Sequence, residues 1–221
     1  EEEIDQHCAI IAPLGMIALC RPSGRGGRCT SKGRGTPELK SCAAGLAGAS
    51  LLAFAAAATA ANPVVVDCAA GGSVGAALAD SPPVNKPVVI VVQGVCSEHV
   101  SIDRNDVTLV ADANGGGLTG PDPATDVVRV TGARVTIDGL AISGGRTGIE
   151  GDAAQGLRVL NVTVQNTGRN GITYGMGSIG EISGATVQGV ARDGVMVEGG
   201  SVFILGSTVS GNARLGILVT N

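Results

Sequence analysis

The chain has 221 residues and a formal net charge of −4, and aromatic residues make up only 1% of it, with no Trp. Its length is enough for one domain with a hydrophobic core, but 36 glycines and few aromatics favour a core of stacked small and branched side chains over a compact globule. Because the sequence has neither an overall basic excess nor aromatics to stack on bases, we expect no nucleic-acid partner.

The N-terminal part has the order of a secretory signal peptide. Six basic residues lie between Arg21 and Lys40, and an apolar run follows at residues 43–58. Ala58-Thr59-Ala60 then supplies the small residues of a cleavage site. The run is shorter than the roughly 20 residues that a membrane span prefers, although retention as an N-terminal anchor is an alternative.

Met16 precedes the basic segment and is a suitable start. We therefore assign residues 1–15 to upstream read-through and residues 16–60 to the signal peptide. The prediction is a protein secreted or held at the cell surface, in the periplasm or outside the cell, with no membrane span after cleavage.

Two of the six cysteines, Cys68 and Cys96, follow the predicted cleavage site. In an oxidising compartment they are expected to form a disulfide, with two free buried thiols as the alternative. No histidine accompanies them in a metal-binding pattern, so we predict no metal site and no cofactor.

A short helix and a β-rich stretch open the predicted mature chain. In residues 73–80, Val74, Ala77 and Leu78 share one face, and Ser73 is available as the N-cap. After Pro87 the sequence becomes strongly β-branched and then alternates apolar and polar residues as far as Ile102. The pattern predicts one helix followed by strands.

Four arginines in the second half recur in the same four-residue phrase, at steps of 23, 23 and 22 residues. The phrases are Arg146-Thr-Gly-Ile149, Arg169-Asn-Gly-Ile172, Arg192-Asp-Gly-Val195 and Arg214-Leu-Gly-Ile217. A fixed period predicts stacked structural units, so the four arginines, here called the arginine column, should line one side of a solenoid.

Further columns repeat in phase with the arginine column. One column consists of the strands Leu140-Ala-Ile142, Val162-Thr-Val164, Ala185-Thr-Val187 and Ser207-Thr-Val209. A second column consists of the turn glycines Gly148, Gly171, Gly194 and Gly216. A third, weaker column consists of Leu157–Val159, Ile179–Ile182 and Val202–Leu205. Glycine at these turns suggests a positive φ or a tight corner. Three short strands per coil of about 22–23 residues predict an all-β parallel β-helix with coils about 4.8 Å apart. An antiparallel sandwich would not produce such columns.

The pattern Val-x-x-Gly-x-x-x-Glu-x-Val-x-Ile within Val88–Ile102, preceded by the short helix, resembles the first coil of right-handed parallel β-helix proteins. The repeated Gly-[Ile/Val] and Thr-Val strands resemble those of the pectate-lyase-like superfamily, over about residues 64–221. The resemblance implies a right-handed coil, as does the rule for parallel crossovers. It also implies secreted polysaccharide lyases, hydrolases, esterases or epimerases, with many non-catalytic relatives. We assign 61–98 to the N-terminal cap and opening strand and 99–221 to the coils.

A column of guanidinium groups suits a polymer with regularly spaced carboxylates or sulfates, because arginine binds such groups with two parallel hydrogen bonds. Arg146, Arg169, Arg192 and Arg214 are therefore the predicted substrate-binding residues and an acidic polysaccharide is the predicted partner. The alternative is an inert surface where exposed turns tolerate arginine.

Catalytic residues are not identified by the sequence. Asp138, Glu150, Asp193 and Glu198 lie beside strands, but they do not share a column, and paired carboxylates at a defined separation are what glycoside hydrolysis needs. The aspartates at 103, 106, 112, 122 and 126 lack the spacing of a calcium loop. His99 is interpreted as a surface residue.

Two aromatic residues follow the predicted signal peptide. Tyr174 could face outward near the arginine column, and Phe203 is expected to pack inside the helix. With so few aromatic platforms, a site for neutral glycans is disfavoured.

Three functions fit these patterns. The first is a polysaccharide-binding protein, the second a non-catalytic structural or adhesin-like solenoid, and the third a lyase or hydrolase whose site lies partly beyond residue 221. The sequence stops within a repeat, so we expect a chain truncated at the C-terminus, in which the open last coil can self-associate.

Overall fold

A computed structural model describes the protein in two compact units, one within Glu1–Ala55 and one within Ala56–Asn221. The described residues are 9–11, 17–19, 62–81 and 86–220. In the first unit, β1 (Ala9–Ile11) pairs antiparallel with β2 (Ile17–Leu19). The apolar run of the predicted signal peptide and its cleavage site lie outside the described residues.

The second unit is a parallel β-solenoid of about seven turns. A six-stranded sheet forms one wall, here called face A. Its strands are β5 (Val100–Ile102), β7 (Val128–Val130), β10 (Ile149–Gly151), β13 (Ile172–Tyr174), β16 (Val195–Glu198) and β19 (Ile217–Thr220).

An eleven-stranded sheet forms the other two walls, faces B and C, because two long strands continue around the corner between them. These are β4 (Val88–Ser97) and β6 (Val107–Gly120). Face B adds β3 (Val64–Asp67), β8 (Thr136–Asp138), β11 (Gln155–Leu160), β14 (Ile179–Ser183) and β17 (Ser201–Leu205). Face C adds β9 (Ala141–Gly144), β12 (Thr163–Gln165), β15 (Thr186–Gln188) and β18 (Thr208–Ser210). The predicted three short strands per coil are confirmed.

The core consists of columns of aliphatic side chains, one from each coil. On face A the column from Val128 through Ile149 and Ile172 to Val195 is in register and fully buried. Each such side chain stabilises the fold by about 1.5–3 kcal/mol. This stacking of small and branched side chains explains why the solenoid needs so few aromatics.

Three of the four glycines that recur at the turns into face A, Gly148, Gly171 and Gly194, are required by close packing and not by backbone conformation. Their φ angles are not positive, which corrects one of the two expectations from the sequence. A Cβ added to Gly148, Gly171 or Gly194 would lie closer than 3.0 Å to a valine of face C and to a carbonyl oxygen of the next coil. The tight corner was the correct alternative.

The helix α1 (Val74–Ala79) lies at the N-terminal side of the solenoid and buries Val74 and Leu78 against it. Ser73 is its N-cap, as predicted. The Glu98 carboxylate accepts hydrogen bonds from the backbone N–H groups of Val74 and Gly75 and from the hydroxyl of Ser73, at 2.7, 3.1 and 2.8 Å. Glu98 therefore fixes the first turn of the helix to the end of β4.

The predicted disulfide between Cys68 and Cys96 is confirmed. It joins the chain after β3 to the end of β4 across a sequence separation of 28 residues. Closing a loop of that length stabilises a fold by roughly 3–4 kcal/mol through the entropy of the unfolded chain.

Both expectations for the aromatic residues are wrong. Tyr174 points into the core at 0% exposure, where its hydroxyl lies 2.9 and 3.1 Å from the carbonyl oxygens of Leu157 and Glu181. Phe203 points outward from face B and is 70% exposed. The strand register decides both outcomes, because Tyr174 stacks on the inward-facing Gly151 and Phe203 on the outward-facing Glu181.

In the last described coil, the inward-facing Ile217 and Val219 are 48% and 66% exposed. The predicted self-association through this coil stays a prediction. Within the described ranges, no helix has the length and hydropathy to cross a membrane.

Replacing Glu98 with alanine should lower the free energy of unfolding by about 2–3 kcal/mol, because three hydrogen bonds to a charged group are lost. The measurement is urea unfolding of the full chain followed by circular dichroism. Glu198→Ala, which removes an exposed carboxylate on face A, is the matched control and should stay within about 0.5 kcal/mol of the parent. Equal losses in the two variants would contradict the anchoring role of Glu98.

Candidate functional site

The arginine column lies in the turn between face C and face A, and its members stack directly on one another. The backbone N–H of Arg192 donates to the carbonyl of Arg169 at 2.8 Å, and the N–H of Arg214 donates to the carbonyl of Arg192 at 3.0 Å. One residue earlier, Gly168 bonds Gly145 in the same way. The stacking predicted from the period is therefore present, and the coil spacing places neighbouring arginines about 5 Å apart at the backbone.

A second column runs beside the arginine column on the side of face A, and we call it the inner polar column. Its members are polar, and each is at most 8% exposed. They are Asp126, Thr147, Asn170 and Asp193. In the upper three coils each follows an arginine of the arginine column in sequence. The solenoid thus places a row of buried oxygen-bearing side chains beside a row of cations.

The two acids of the inner polar column each interact with the arginine one coil above. Arg146 donates two hydrogen bonds to Asp126, at 2.9 and 3.1 Å, and this pairing raises the pKa of Arg146. Arg214 Nε lies 3.6 Å from Oδ1 of Asp193, a carboxylate with no exposed surface. Neither oxygen of Asp193 accepts a hydrogen bond from the described residues.

The two central arginines occupy the same relative position but have neutral neighbours below them. By the same register, Thr147 lies below Arg169 and Asn170 lies below Arg192. Among the described residues, neither Arg169 nor Arg192 has a carboxylate within 4.0 Å. Nε of Arg169 is buried without a hydrogen-bond partner among these residues. No ion pair of the described residues therefore neutralises the middle of the column, where Glu150 acts on Arg169 only through its longer-range charge.

The outward-facing residues of face A form the floor beside these columns. Arg129, Glu150 and Thr173 follow one another in register on β7, β10 and β13. Arg129 forms an exposed ion pair with Asp152 at 2.6 Å. The Thr173 hydroxyl accepts from Asn170 Nδ2 at 3.2 Å and is hydrogen-bonded to Glu150, which links the inner polar column to the floor.

Glu150 is a carboxylate of this floor, and its acidity is altered by its surroundings. Burial raises its pKa, and the nearby charge of Asp126 raises it further. The hydrogen bond from Thr173 and the charges of Arg146 and Arg169 act in the opposite direction but do not cancel the rise. Desolvation is thus the largest influence on this carboxyl.

A pocket of about 290 Å³ opens at the N-terminal end of the arginine column. Polar groups in its wall include His99, Ser101, Thr125, Asp126, Arg129 and Arg146. His99 is half-buried, and its Nδ1 lies 2.9 Å from the carbonyl oxygen of Asp126. The pocket is continuous with the column because Arg146 belongs to both.

The remaining acidic candidates are not gathered at this site. Asp138 is on face B and accepts a hydrogen bond from Asn161 at 2.9 Å, whereas Glu198 is exposed on face A two coils above Glu150. Asp106 pairs with Arg134, and Asp112 accepts from Asn114. No group of three or more His, Cys, Asp or Glu side chains in the described ranges is arranged to hold a metal ion.

Sequence reasoning missed Arg129 and the role of Asp126. Arg129 lies 21 residues before Glu150, close to the 22–23-residue period of the repeats, but its strand lacks the arginine phrase. Asp126 was considered only as a member of a calcium cluster. Thr147, Asn170 and Asp193 each follow an arginine of the arginine column. Aligning them with the preceding coil would have placed Asp126 in the same column.

Replacing Glu150 with glutamine should alter stability in a pH-dependent way. A carboxyl whose pKa is raised in the folded state stabilises the fold only while it is protonated. The parent protein therefore loses stability as pH rises from about 4.5 through that raised pKa. The variant lacks this loss. The difference in unfolding free energy, variant minus parent, should therefore increase from about pH 4 to pH 8. A difference that decreases with pH in urea titrations would contradict a raised pKa.

Comparison with known proteins agrees with this architecture. No curated protein matches the chain. The sequence model of a family described as "right handed beta helix region" matches residues 90–221, which is more than half of the chain and includes every residue of the arginine column. The protein belongs to the right-handed beta helix family.

Proposed function

We propose that this protein binds an anionic polysaccharide along the arginine column, outside the cell. The observation that carries the proposal is the pair Arg169 and Arg192, which stack one coil apart without a carboxylate partner among the described residues. Fixed guanidinium groups at the coil spacing favour a polymer that presents carboxylates or sulfates repeatedly along its length.

The compensated arginines define the limits of this site. Arg146 at one end and Arg214 at the other interact with Asp126 and Asp193, so they supply less net charge to a ligand than the central pair. A polymer would therefore be held most strongly at the centre. The pocket beside Arg146, with its hydroxyl, carboxylate and guanidinium groups, offers hydrogen bonds to a sugar ring at one end of the site.

The aromatic side chains support an anionic ligand over a neutral one. Tyr174 is enclosed in the core, and Phe203 is exposed on face B, away from the column. Of the described residues, none supplies an aromatic platform beside the arginines. Binding at this site would depend on charge and hydrogen bonds and should weaken as salt rises.

The double variant R169S/R192S should bind polygalacturonate or alginate about tenfold more weakly than the parent, because charge-assisted hydrogen bonds are lost. The measurement is calorimetric titration of the full chain at low and moderate salt, with a neutral glucan as the ligand control. R134S/R158S removes the same net charge from two exposed arginines away from the column and should stay within about twofold of the parent. No binding by a folded parent would contradict the proposal and favour a purely structural solenoid.

Two isosteric changes in the inner polar column test the same site without touching an arginine. Asn170→Asp places a carboxylate below Arg192 and should weaken polymer binding about threefold or more, whereas Asp193→Asn releases Arg214 and should strengthen it by a similar factor. Glu181→Gln on face B is the control for net charge. Shifts of equal sign in N170D and D193N would show that the inner polar column does not set the charge available to the ligand.

A further inference from the structure

Glu150 is a half-buried carboxylate in the floor of face A, next to the inner polar column. Its neighbours in register are Arg129 below on β7 and Thr173 above on β13. Arg146 and Arg169 act on it electrostatically from the turns before β10 and β13, and so does Asp126 from the segment before β7. A polymer seated on Arg169 would run directly past this carboxylate.

We propose that Glu150 is a charge gate for the anionic ligand: its ionised form repels the polymer and neutralises nearby arginines, and its protonated form removes both effects and donates a hydrogen bond to the ligand. This inference rests on the proposed function, because it assigns a regulatory residue to the same site. It makes the protein a polyanion binder that holds its ligand more tightly in acidic surroundings.

The hydrogen-bond network around Glu150 is arranged for both charge states. Asn170 Nδ2 donates to Thr173 Oγ1, so the Thr173 hydroxyl proton is free to point at the Glu150 carboxylate. When Glu150 is protonated, its hydroxyl can donate outward while its other oxygen keeps the bond from Thr173. Glu150 can therefore change its charge and keep its hydrogen bond with Thr173 on β13.

The surroundings also favour the protonated form of Glu150. Burial and the charge of Asp126 raise the pKa of Glu150 above its ordinary value, so its ionisation lies closer to neutrality than that of an exposed glutamate. His99 lines the adjacent pocket, where its Nδ1 lies 2.9 Å from the carbonyl oxygen of Asp126. Its contribution must be separated by experiment.

The test is a titration of the full chain with dextran sulfate, whose sulfate groups stay ionised throughout, at a series of pH values from about 4.5 to 7.5 at constant ionic strength. The parent should bind about threefold or more tightly at the acidic end than at the neutral end. Glu150→Gln should bind at neutral pH as the parent binds in acid, and its affinity should change less with pH. His99→Gln should keep most of the parent's pH dependence.

Thr173→Val gives a second, independent readout. Loss of its hydroxyl removes one group that stabilises the ionised carboxylate, so the rise in affinity should move to higher pH. Equal pH profiles in the parent and in E150Q, with binding still lost in R169S/R192S, would overturn the gate and leave the binding site intact. Absence of binding by the parent at every pH would overturn the binding site and the gate together.

Discussion

The fold and the candidate site both depend on one constraint, the in-register parallel pairing of successive coils. From β8 onward, residues 22 to 24 apart are joined by backbone hydrogen bonds, so each side chain lies above its counterpart in the coil below. The core follows from this pairing as columns of valine, isoleucine and leucine. The same pairing determines where the charges lie. An arginine repeated in each coil becomes a row of cations, and the backbone hydrogen bonds between coils hold neighbouring arginines at a fixed spacing.

Such a row costs electrostatic energy, and the protein offsets it only in part. Buried acids in the adjacent column interact with the arginines at its two ends, Arg146 and Arg214. At the centre the corresponding positions are Thr147 and Asn170, which are polar but uncharged. The resulting surface has a cationic middle, with Glu150 beside it as a carboxylate whose pKa is raised by burial. This distribution of charge, more than the number of arginines, is the basis of the proposed binding of anionic polysaccharides.

The sequence was sufficient to predict most of the fold. The three strands per coil, the short helix capped by Ser73 and the pairing of Cys68 with Cys96 all depend on local patterns or on a period that can be counted. It was not sufficient to orient Tyr174 or Phe203, since a shift of one residue in a short strand reverses which side chains face the core. For the site, the period predicted the stacked arginines, but not which of them are paired. Whether an arginine is paired depends on the residue that its guanidinium contacts in the coil below, as the contact between Arg146 and Asp126 illustrates.

An anionic polysaccharide bound along the turns that carry the arginines should protect the backbone of those turns. Hydrogen–deuterium exchange of the full chain should be measured by mass spectrometry with and without saturating polygalacturonate. We expect slower exchange in peptides covering residues 145–148, 168–171 and 191–194, and unchanged exchange in peptides from face B such as residues 155–160. Slower exchange on face B, or no change at the turns when the polymer is bound, would contradict binding along these turns.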